Sequence, residues 1–210
     1  MKTLVFALVV VGLVAACDDP SKGKTKAVTG EAQQAQSSVA ATATTKTFQF
    51  DAASGSKVEW VGSKVTGKHE GGFKSFNGTV QVDPAAPEKG KVDVAIDTTS
   101  LYTDNDKLVG HLKTADFFDV EHHPTATFVS TDVKKAGETW TVTGNLSLRG
   151  ITKSVTFPAK VNAGADGVDV DAEFAINRKD FDMKYAGKAD DLIRDDVLVK
   201  LTIRSKPLKS

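Results

Sequence analysis

The sequence has few of the residues that supply cross-links, membrane spans or nucleic-acid contacts. One cysteine, Cys17, stands in 210 residues, so a disulfide within the chain is excluded. No apolar run reaches the roughly 20 residues that a spanning helix needs. Basic and acidic residues balance at 27 each and no basic block is present, so binding to nucleic acid is not expected.

The residues that could carry catalysis or bind a metal do not form a recognisable pattern. Adjacent residues on an extended segment point to opposite faces, so His122 and His123 cannot easily share an ion. A nucleophile elbow, a phosphate-binding loop and a metalloprotease helix are absent from the sequence. We predict a protein that is not an enzyme, with no catalytic residue, no metal and no required cofactor. An acid or base role for His69 or Asp180 ranks last, because the sequence pairs neither with a second catalytic group.

The beginning of the chain has the pattern of an export signal. Lys2 precedes an apolar run over residues 4–16, and Ala15 and Ala16 are the small residues that a signal peptidase accepts. The sequence VAAC at residues 14–17 resembles the lipobox of bacterial lipoproteins, in which the cysteine becomes the first mature residue and carries lipid. The resemblance implies a signal peptide at 1–16 and acyl chains such as palmitate on Cys17. The protein would then face the periplasm from a membrane of the cell envelope. An ordinary cleaved signal with a free thiol is the alternative.

The segment after Cys17 has the composition of a linker. Residues 18–46 contain no aromatic residue, leucine or isoleucine, and Gln, Ser, Thr, Ala and Lys dominate. Such a segment cannot bury enough apolar surface to offset the entropy of ordering. We therefore predict a flexible tether over 17–46 with a root-mean-square reach of roughly 30 Å, and one folded domain over 47–210.

Apolar residues alternate with polar ones through most of the predicted domain. Val92, Val94 and Ile96 alternate with polar or small residues, which is typical of a half-buried antiparallel strand. About eight such strands are predicted, the number that closes into a barrel able to hold one small ligand. Nine stretches of sequence contribute to this estimate, near residues 48–50, 58–65, 76–82, 92–97, 126–128, 142–149, 155–161, 168–176 and 197–203.

One segment breaks the alternation. Leu108, Leu112 and Ala115 recur at helical spacing, and Thr103 or Asp104 could cap the helix. We predict one short helical insertion over about 104–116. Phe117 and Phe118 would then pack under the barrel or plug its mouth.

Several long motifs resemble those of the YceI-like family, in the family's order and across nearly all of 47–206. They are GHLKTADFFDVEHHPTATFVST at 110–131, GNLSLRGITKSVTF at 144–157, AINRKDFDM at 175–183 and DLIRDDVLVKL at 191–201. The spacing of Trp60, Lys64, His69 and Gly71 also fits. Asp182 departs from the family, which usually has glycine there. Aspartate tolerates a positive φ less well than glycine does, so the geometry of this turn is in question.

The resemblance implies an antiparallel, lipocalin-like barrel that binds an isoprenoid lipid, such as a quinone or prenyl lipid, in its interior. Lys64, His69, Asn177, Arg178 and Asp180 are the candidates for contact with a polar headgroup, although Arg178 and Asp180 could instead pair with each other at the surface. For each residue predicted to line the ligand, ordinary core packing is the alternative. These residues are Trp60, Phe73, Phe76, Val94, Ile96, Phe117, Phe128, Leu146, Phe157, Phe174 and Ile176.

Two functions are compatible with this sequence. A hollow barrel would carry or store the isoprenoid beside the membrane to which Cys17 is attached. A barrel with a filled, ligand-free core would act as an envelope stress or interaction module. Alternation along the strands cannot distinguish them, because both need an apolar inner face.

Overall fold

The computed structural model describes residues 19–34, 44–83 and 85–208. Strands dominate these residues, and the one α-helix among them is α1 (Asp106–Leu112). The strands are β1 (Val28–Glu31), β2 (Lys46–Asp51), β3 (Lys57–Lys64), β4 (Gly67–Phe73), β5 (Phe76–Val82), β6 (Lys91–Asp97), β7 (Leu101–Thr103), β8 (Thr125–Ala136), β9 (Thr139–Leu148), β10 (Ile151–Ala163), β11 (Val168–Asn177), β12 (Gly187–Lys188), β13 (Asp191–Leu192), β14 (Asp196–Arg204) and β15 (Lys206–Pro207).

The strands close into an antiparallel barrel. Four pairs follow one another through short bends: β2 with β3, β4 with β5, β6 with β7, and β14 with β15. Each pair acts as one bent strand. For example, the pair β2 and β3 has the same two neighbours along its length: β2 bonds β5 and β15, and β3 bonds β4 and β14. With β8, β9, β10 and β11 the ring has eight members. The predicted barrel of about eight strands is confirmed, and the larger number of segments reflects the bends.

Local side-chain chemistry explains one of these bends. Asp51 ends β2 and accepts a hydrogen bond from the Ser54 backbone N–H at 2.8 Å, which caps a single 3-10 turn. Gly55 then adopts a φ of +87°, in the left-handed region that glycine enters without strain. The chain thereby turns from β2 into β3 and stays in the barrel wall.

The inner face of the barrel carries the alternating apolar residues. Val94 lies opposite Phe128, and Phe128 lies opposite Leu146, so one aromatic ring is shared across three strands. Gly144 lies beneath that ring, where a Cβ atom would overlap it. The missing side chain of Gly144 leaves space for the Phe128 ring against the wall.

The helix is shorter than predicted. It covers Asp106–Leu112 rather than about 104–116, and its cap is Asn105, whose side chain accepts hydrogen bonds from the backbone of Lys107 and Leu108. Thr103 belongs to β7 instead, and Asp104 binds His69. Leu112 packs with Leu101 and Phe117. No helix in the described parts of the chain is long and apolar enough to cross a membrane.

Residues 19–34 are not a free tether. β10 and β11 pair directly with each other over only four residues, from Lys160 opposite Asp171 to Ala163 opposite Val168. Beyond that point the N-terminal segment lies between them: Val28 pairs with Thr156, and the Ala27 N–H donates to the Ala175 carbonyl at 2.8 Å. The tether prediction is wrong here because backbone hydrogen bonds hold this segment, and they leave no apolar pattern in the sequence. Cys17 and the predicted signal peptide lie outside the described residues.

Candidate functional site

The barrel encloses an elongated apolar cavity of about 500 Å³. Val168 and Ile176, at opposite ends of β11, both line it, so it extends over about 26 Å of strand at ~3.3 Å per residue. Its volume falls in the usual range of ligand pockets, roughly 300–1,000 Å³. Inward-facing residues such as Val94, Phe128 and Leu201 are only half-buried, because the hollow reaches them. The interior is therefore not a filled core.

Ten of the eleven residues predicted to line a ligand lie on this wall. The exception is Phe76, which is 4% exposed and packs among Phe48, Phe50 and Val58 within the apolar interior. Contact of the other ten with a ligand stays a prediction. They are Trp60, Phe73, Val94, Ile96, Phe117, Phe128, Leu146, Phe157, Phe174 and Ile176.

Aromatic rings build one side of the wall. Phe157 stacks on Phe174, with ring centroids 4.3 Å apart and an interplanar angle of 14°. Phe128 lies 5.8 Å from Phe157 in a tilted arrangement. Contacts between offset rings stabilise such clusters beyond the area they bury, by about 0.5–1.5 kcal/mol each. The rings form a continuous apolar surface on this side of the cavity.

The segment after α1 covers part of one end of the cavity. Phe117 is buried, lines the cavity and lies at 5.1 Å from the ring of His111. Phe118 packs edge-on against Phe73 at 5.6 Å. Both rings thus pack against the barrel, which is one of the two placements predicted from the sequence.

The polar lining of the cavity is small. It comprises Glu59, Ser63, Lys64, His69, Arg178 and Arg194. Lys64 forms an ion pair with Asp191, which also accepts hydrogen bonds from Thr66, and these partners lower the pKa of Asp191. His69 Nδ1 lies 2.9 Å from Asp104 Oδ1. Burial alone would raise the pKa of Asp104, but the hydrogen bonds from His69 and its neighbours lower it.

Arg178 is the buried cation of the site. Only 5% of the residue is exposed, and its Nε donates to the carbonyl of Arg194 at 3.1 Å. Nη1 donates to the carbonyl of Met183, and Nη2 lies 3.3 Å from Asp195 Oδ1. Burial lowers the pKa of Arg178, and the Asp195 charge opposes that shift. Arg178 therefore ties two loop segments together. Lys64 and Arg194 lie at the same end of the barrel, where β3 ends and β14 begins, and we call this the polar end of the cavity.

The two other headgroup candidates lie away from the cavity. Asn177 caps the 3-10 turn Arg178–Phe181 by accepting a hydrogen bond from the Lys179 backbone. Asp180 accepts a 2.7 Å hydrogen bond from Thr29 Oγ1 on β1. The predicted alternative of an Arg178–Asp180 pair is wrong, since Arg178 pairs with Asp195.

Sequence reasoning missed other residues of this end. Met183, Ile193 and Arg194 line the cavity, but they belong to loop segments in which the period of two does not apply. Met183 ends the motif at 175–183, and Ile193 and Arg194 lie inside the motif at 191–201. Membership of these motifs is the signal that the sequence offers for them.

Asp182 keeps the turn that glycine would make. It has φ 59° and ψ 22°, in the left-handed region, and ends the 3-10 turn. Arg149 Nη1 donates to the Asp182 carbonyl and lies 3.3 Å from its Oδ2, while Lys184 pairs with Oδ1. The Asp182 carboxylate therefore pairs with two cations, Arg149 and Lys184, at a position where the positive φ strains the backbone.

An eight-stranded antiparallel barrel with an apolar cavity is the architecture of small barrels that hold one ligand. The family model described as "YceI-like domain" matches residues 48–205, and this chain belongs to that family. The Escherichia coli protein YceI is 42% identical over 120 residues, which are 54% of this chain and 63% of that protein.

Two solved structures share the fold. The crystal structure of BcnA from Burkholderia cenocepacia superposes with a TM-score of 0.63 at 29% identity, covering 73% of this chain and 98% of BcnA. A domain from Saccharophagus degradans described as polyisoprenoid binding has a TM-score of 0.60 at 18% identity, covering 76% and 98%. The resemblance read from the motifs is confirmed at the level of family and fold.

Proposed function

We propose that this barrel binds a long-chain isoprenoid lipid, such as a quinone or prenyl lipid, and carries or stores it without enzymatic conversion. The observation that carries this proposal is the elongated, almost wholly apolar cavity of about 500 Å³. Burial of hydrocarbon contributes ~0.8 kcal/mol per methylene, so a long chain gains affinity along the whole cavity. The description of the Saccharophagus domain as polyisoprenoid binding supports the same class of ligand.

The polar end gives the ligand an orientation in this proposal. The hydrocarbon chain would lie among Phe128, Phe157 and Phe174, and the headgroup near Lys64, His69 and Arg178. Pockets fix orientation with a few polar groups among many apolar ones. Of the two possible acid or base groups, Asp180 does not line the cavity and is held by Thr29 outside it, whereas His69 lines the cavity and pairs with Asp104. The proposal of a non-enzymatic role therefore rests on the almost wholly apolar lining.

Membrane attachment through acylated Cys17 is part of the proposal and rests on the sequence at 14–17. Acyl chains on this cysteine would hold the protein on the periplasmic face of an envelope membrane. Stable attachment needs more than one acyl chain or a second membrane contact. The Cys17→Ala variant should move into the soluble fraction; a variant that still pellets with membranes would contradict acylation as the anchor.

Extraction of the purified protein with organic solvent, followed by mass spectrometry, tests the ligand. Recovery of an isoprenoid lipid in near-stoichiometric amount is the expected result. Absence of such a lipid, together with failure to bind an added prenyl quinone, would overturn the proposal. It would leave the interaction module as the better function, although the open interior does not favour it.

A further inference from the structure

Exposed apolar side chains cluster at the polar end of the cavity. Within the described residues five large apolar side chains are exposed, and three of them, Val65 (54%), Tyr185 (37%) and Leu192 (50%), lie together. The Val65 N–H donates to the Leu192 carbonyl at 3.1 Å, and the Ile193 N–H donates to the Ala186 carbonyl at 2.9 Å. We call Val65, Tyr185 and Leu192 the apolar rim.

The apolar rim borders the cavity. Lys64 and Ile193, the chain neighbours of Val65 and Leu192, both line it. The ring of Tyr185 lies 5.6 Å from that of Phe117, which also lines it. An exposed apolar patch beside a cavity is typical of a surface that meets another apolar phase.

The described chain begins beside the same end. Asp19 Oδ2 lies 3.6 Å from Nη1 of Arg194, a cavity-lining residue two positions after Leu192. Ser21 Oγ donates to the Asp196 carbonyl at 3.4 Å, which holds the next turn of the segment on the start of β14. Only Asp18 separates Asp19 from Cys17. At 3.8 Å between successive Cα atoms, Cys17 lies at most about 8 Å from Asp19.

The N-terminal segment is held firmly enough to fix this placement. β1 bonds β10, Lys24 pairs with Glu173, and Lys26 pairs with Asp196. Because residues 19–34 lie along the barrel wall, they cannot act as a long spacer between Cys17 and the domain. An acyl chain on Cys17 would therefore enter the bilayer close to the apolar rim.

We infer that the apolar rim is a membrane-docking surface whose partner is the lipid bilayer that holds the acyl chains of Cys17. This inference rests on the acylation proposed above. A single acyl chain gives only marginal binding, and insertion of exposed apolar side chains is a second contact that strengthens attachment. The polar end of the cavity then meets the headgroup region, and a lipid can pass between bilayer and barrel without crossing water.

Fluorescence of the full-length, lipidated protein in vesicles of phosphatidylethanolamine and phosphatidylglycerol tests this orientation. Val65→Cys and Leu192→Cys each provide a thiol for an environment-sensitive dye, and Leu208→Cys is the matched control. Leu208 is 51% exposed, but it bonds Thr47 beyond the far end of β14. With dye at 65 or 192, quenching by bromolipids should exceed that at 208 by about threefold or more, since only the rim would contact hydrocarbon.

Equal quenching at positions 192 and 208 would overturn the inference. Shielding of the dye at 192 without vesicles, together with a doubled molecular mass, would also overturn it and would indicate a second copy of the chain. The unsubstituted protein distinguishes failure of the proposed acylation, because an unmodified Cys17 would itself react with the dye.

The rate of lipid transfer gives a second readout. In Val65→Ser/Leu192→Ser, loading of a prenyl quinone from vesicles should slow about tenfold, because the rim no longer inserts. Affinity for the same quinone in detergent solution should stay unchanged, as it should for the control Leu208→Ser in both assays. An unchanged loading rate would contradict docking through the rim, whereas loss of binding in detergent by the unsubstituted protein would contradict the proposed function itself.

Discussion

Thr29 Oγ1 donates a 2.7 Å hydrogen bond to Asp180 Oδ2 and so joins the N-terminal segment to the turn that follows β11. Asp180 faces that segment and takes no part in lining the cavity. Together with the backbone bonds of Ala27 and Val28, this contact fills the gap where β10 and β11 separate. The segment therefore completes the barrel wall, and both strand edges beside it are paired.

Proline at position 27 should detach the inserted segment. The Ala27 N–H donates to Ala175 O at 2.8 Å, and proline lacks that donor. We expect Ala27→Pro to lose about 1–3 kcal/mol of unfolding free energy, because a buried carbonyl is left without a partner. Urea denaturation measures the loss, and Ala32→Pro, just beyond β1, is the matched control. Equal stability of the two variants would contradict a structural role for the inserted segment.

Replacement of Asp182 separates backbone strain from side-chain contacts. Asp182 has a φ of 59°, which costs any L-residue with a Cβ atom about 1 kcal/mol or more relative to glycine. Asp182→Ala keeps the strain and loses the carboxylate contacts with Arg149 and Lys184, whereas Asp182→Gly loses both the strain and these side-chain contacts. The alanine variant should therefore be about 1 kcal/mol less stable than the glycine variant in chemical denaturation. The opposite order would show that the turn does not impose its φ.

Arg178 should matter far more for stability than its neighbour Lys179, although both pair with Asp195. Arg178→Met leaves the carbonyls of Met183 and Arg194 without their donor in a buried place. We expect a loss of about 3 kcal/mol for Arg178→Met. For Lys179→Met we expect less than about 1 kcal/mol, because the Lys179 side chain is about half exposed. Thermal and urea unfolding of both variants measure the difference, and similar losses would contradict the role assigned to Arg178.

The His122–Asp119 pair should make stability depend weakly on pH. The hydrogen bond between them raises the pKa of His122 above its ordinary value of 6.5 and lowers that of Asp119 below 3.8. The contribution of His122 is complete below its unfolded pKa and disappears as pH rises through the raised folded value. The contribution of Asp119 is present above its unfolded pKa and disappears as pH falls through the lowered one. Stability should therefore be highest between these ranges, near about pH 5.5, and decline slightly towards about pH 8.

Substitution of His122 checks this pH dependence. The free energy of unfolding of His122→Asn should decline less between about pH 5.5 and about pH 8 than that of the unsubstituted protein, because the contribution of His122 is gone. His111→Asn, at a histidine that pairs with Asp116 instead, is the control. An unchanged profile in His122→Asn would mean that other groups set the pH dependence.

The sequence is informative where side chains alternate and uninformative where the backbone alone decides. Val92, Val94 and Ile96 predict a strand, and β6 covers it, because one face lines the interior and the other meets water. β1 has no such pattern: three of its four residues are exposed. Its pairing with β10 runs from main chain to main chain, so composition suggests a tether.

The candidate site follows the same division. Lys64 and His69 face the cavity from β3 and β4, where the strand period predicts direction, and Arg178 begins the turn after β11. Asp180 lies two residues further, inside a 3-10 turn, where the period of two no longer tells which way a side chain points. Phe76 belongs to the apolar interior, but it does not line the cavity. Sequence alternation gives the face of the sheet and not the free volume in front of it.

A tryptophan placed inside the cavity should block the ligand without unfolding the barrel. Val94 lies on the cavity wall in the middle of β6, so Val94→Trp adds bulk where space exists. Asp93, the preceding residue, points to the other face and pairs with Lys91, so Asp93→Trp adds the same bulk outside. We expect Val94→Trp to weaken binding of a prenyl quinone by about tenfold or more, since each excluded methylene forfeits ~0.8 kcal/mol. Asp93→Trp should bind as the unsubstituted protein does. Isothermal titration with the same quinone measures both, and equal affinities would mean that the lipid does not occupy the barrel.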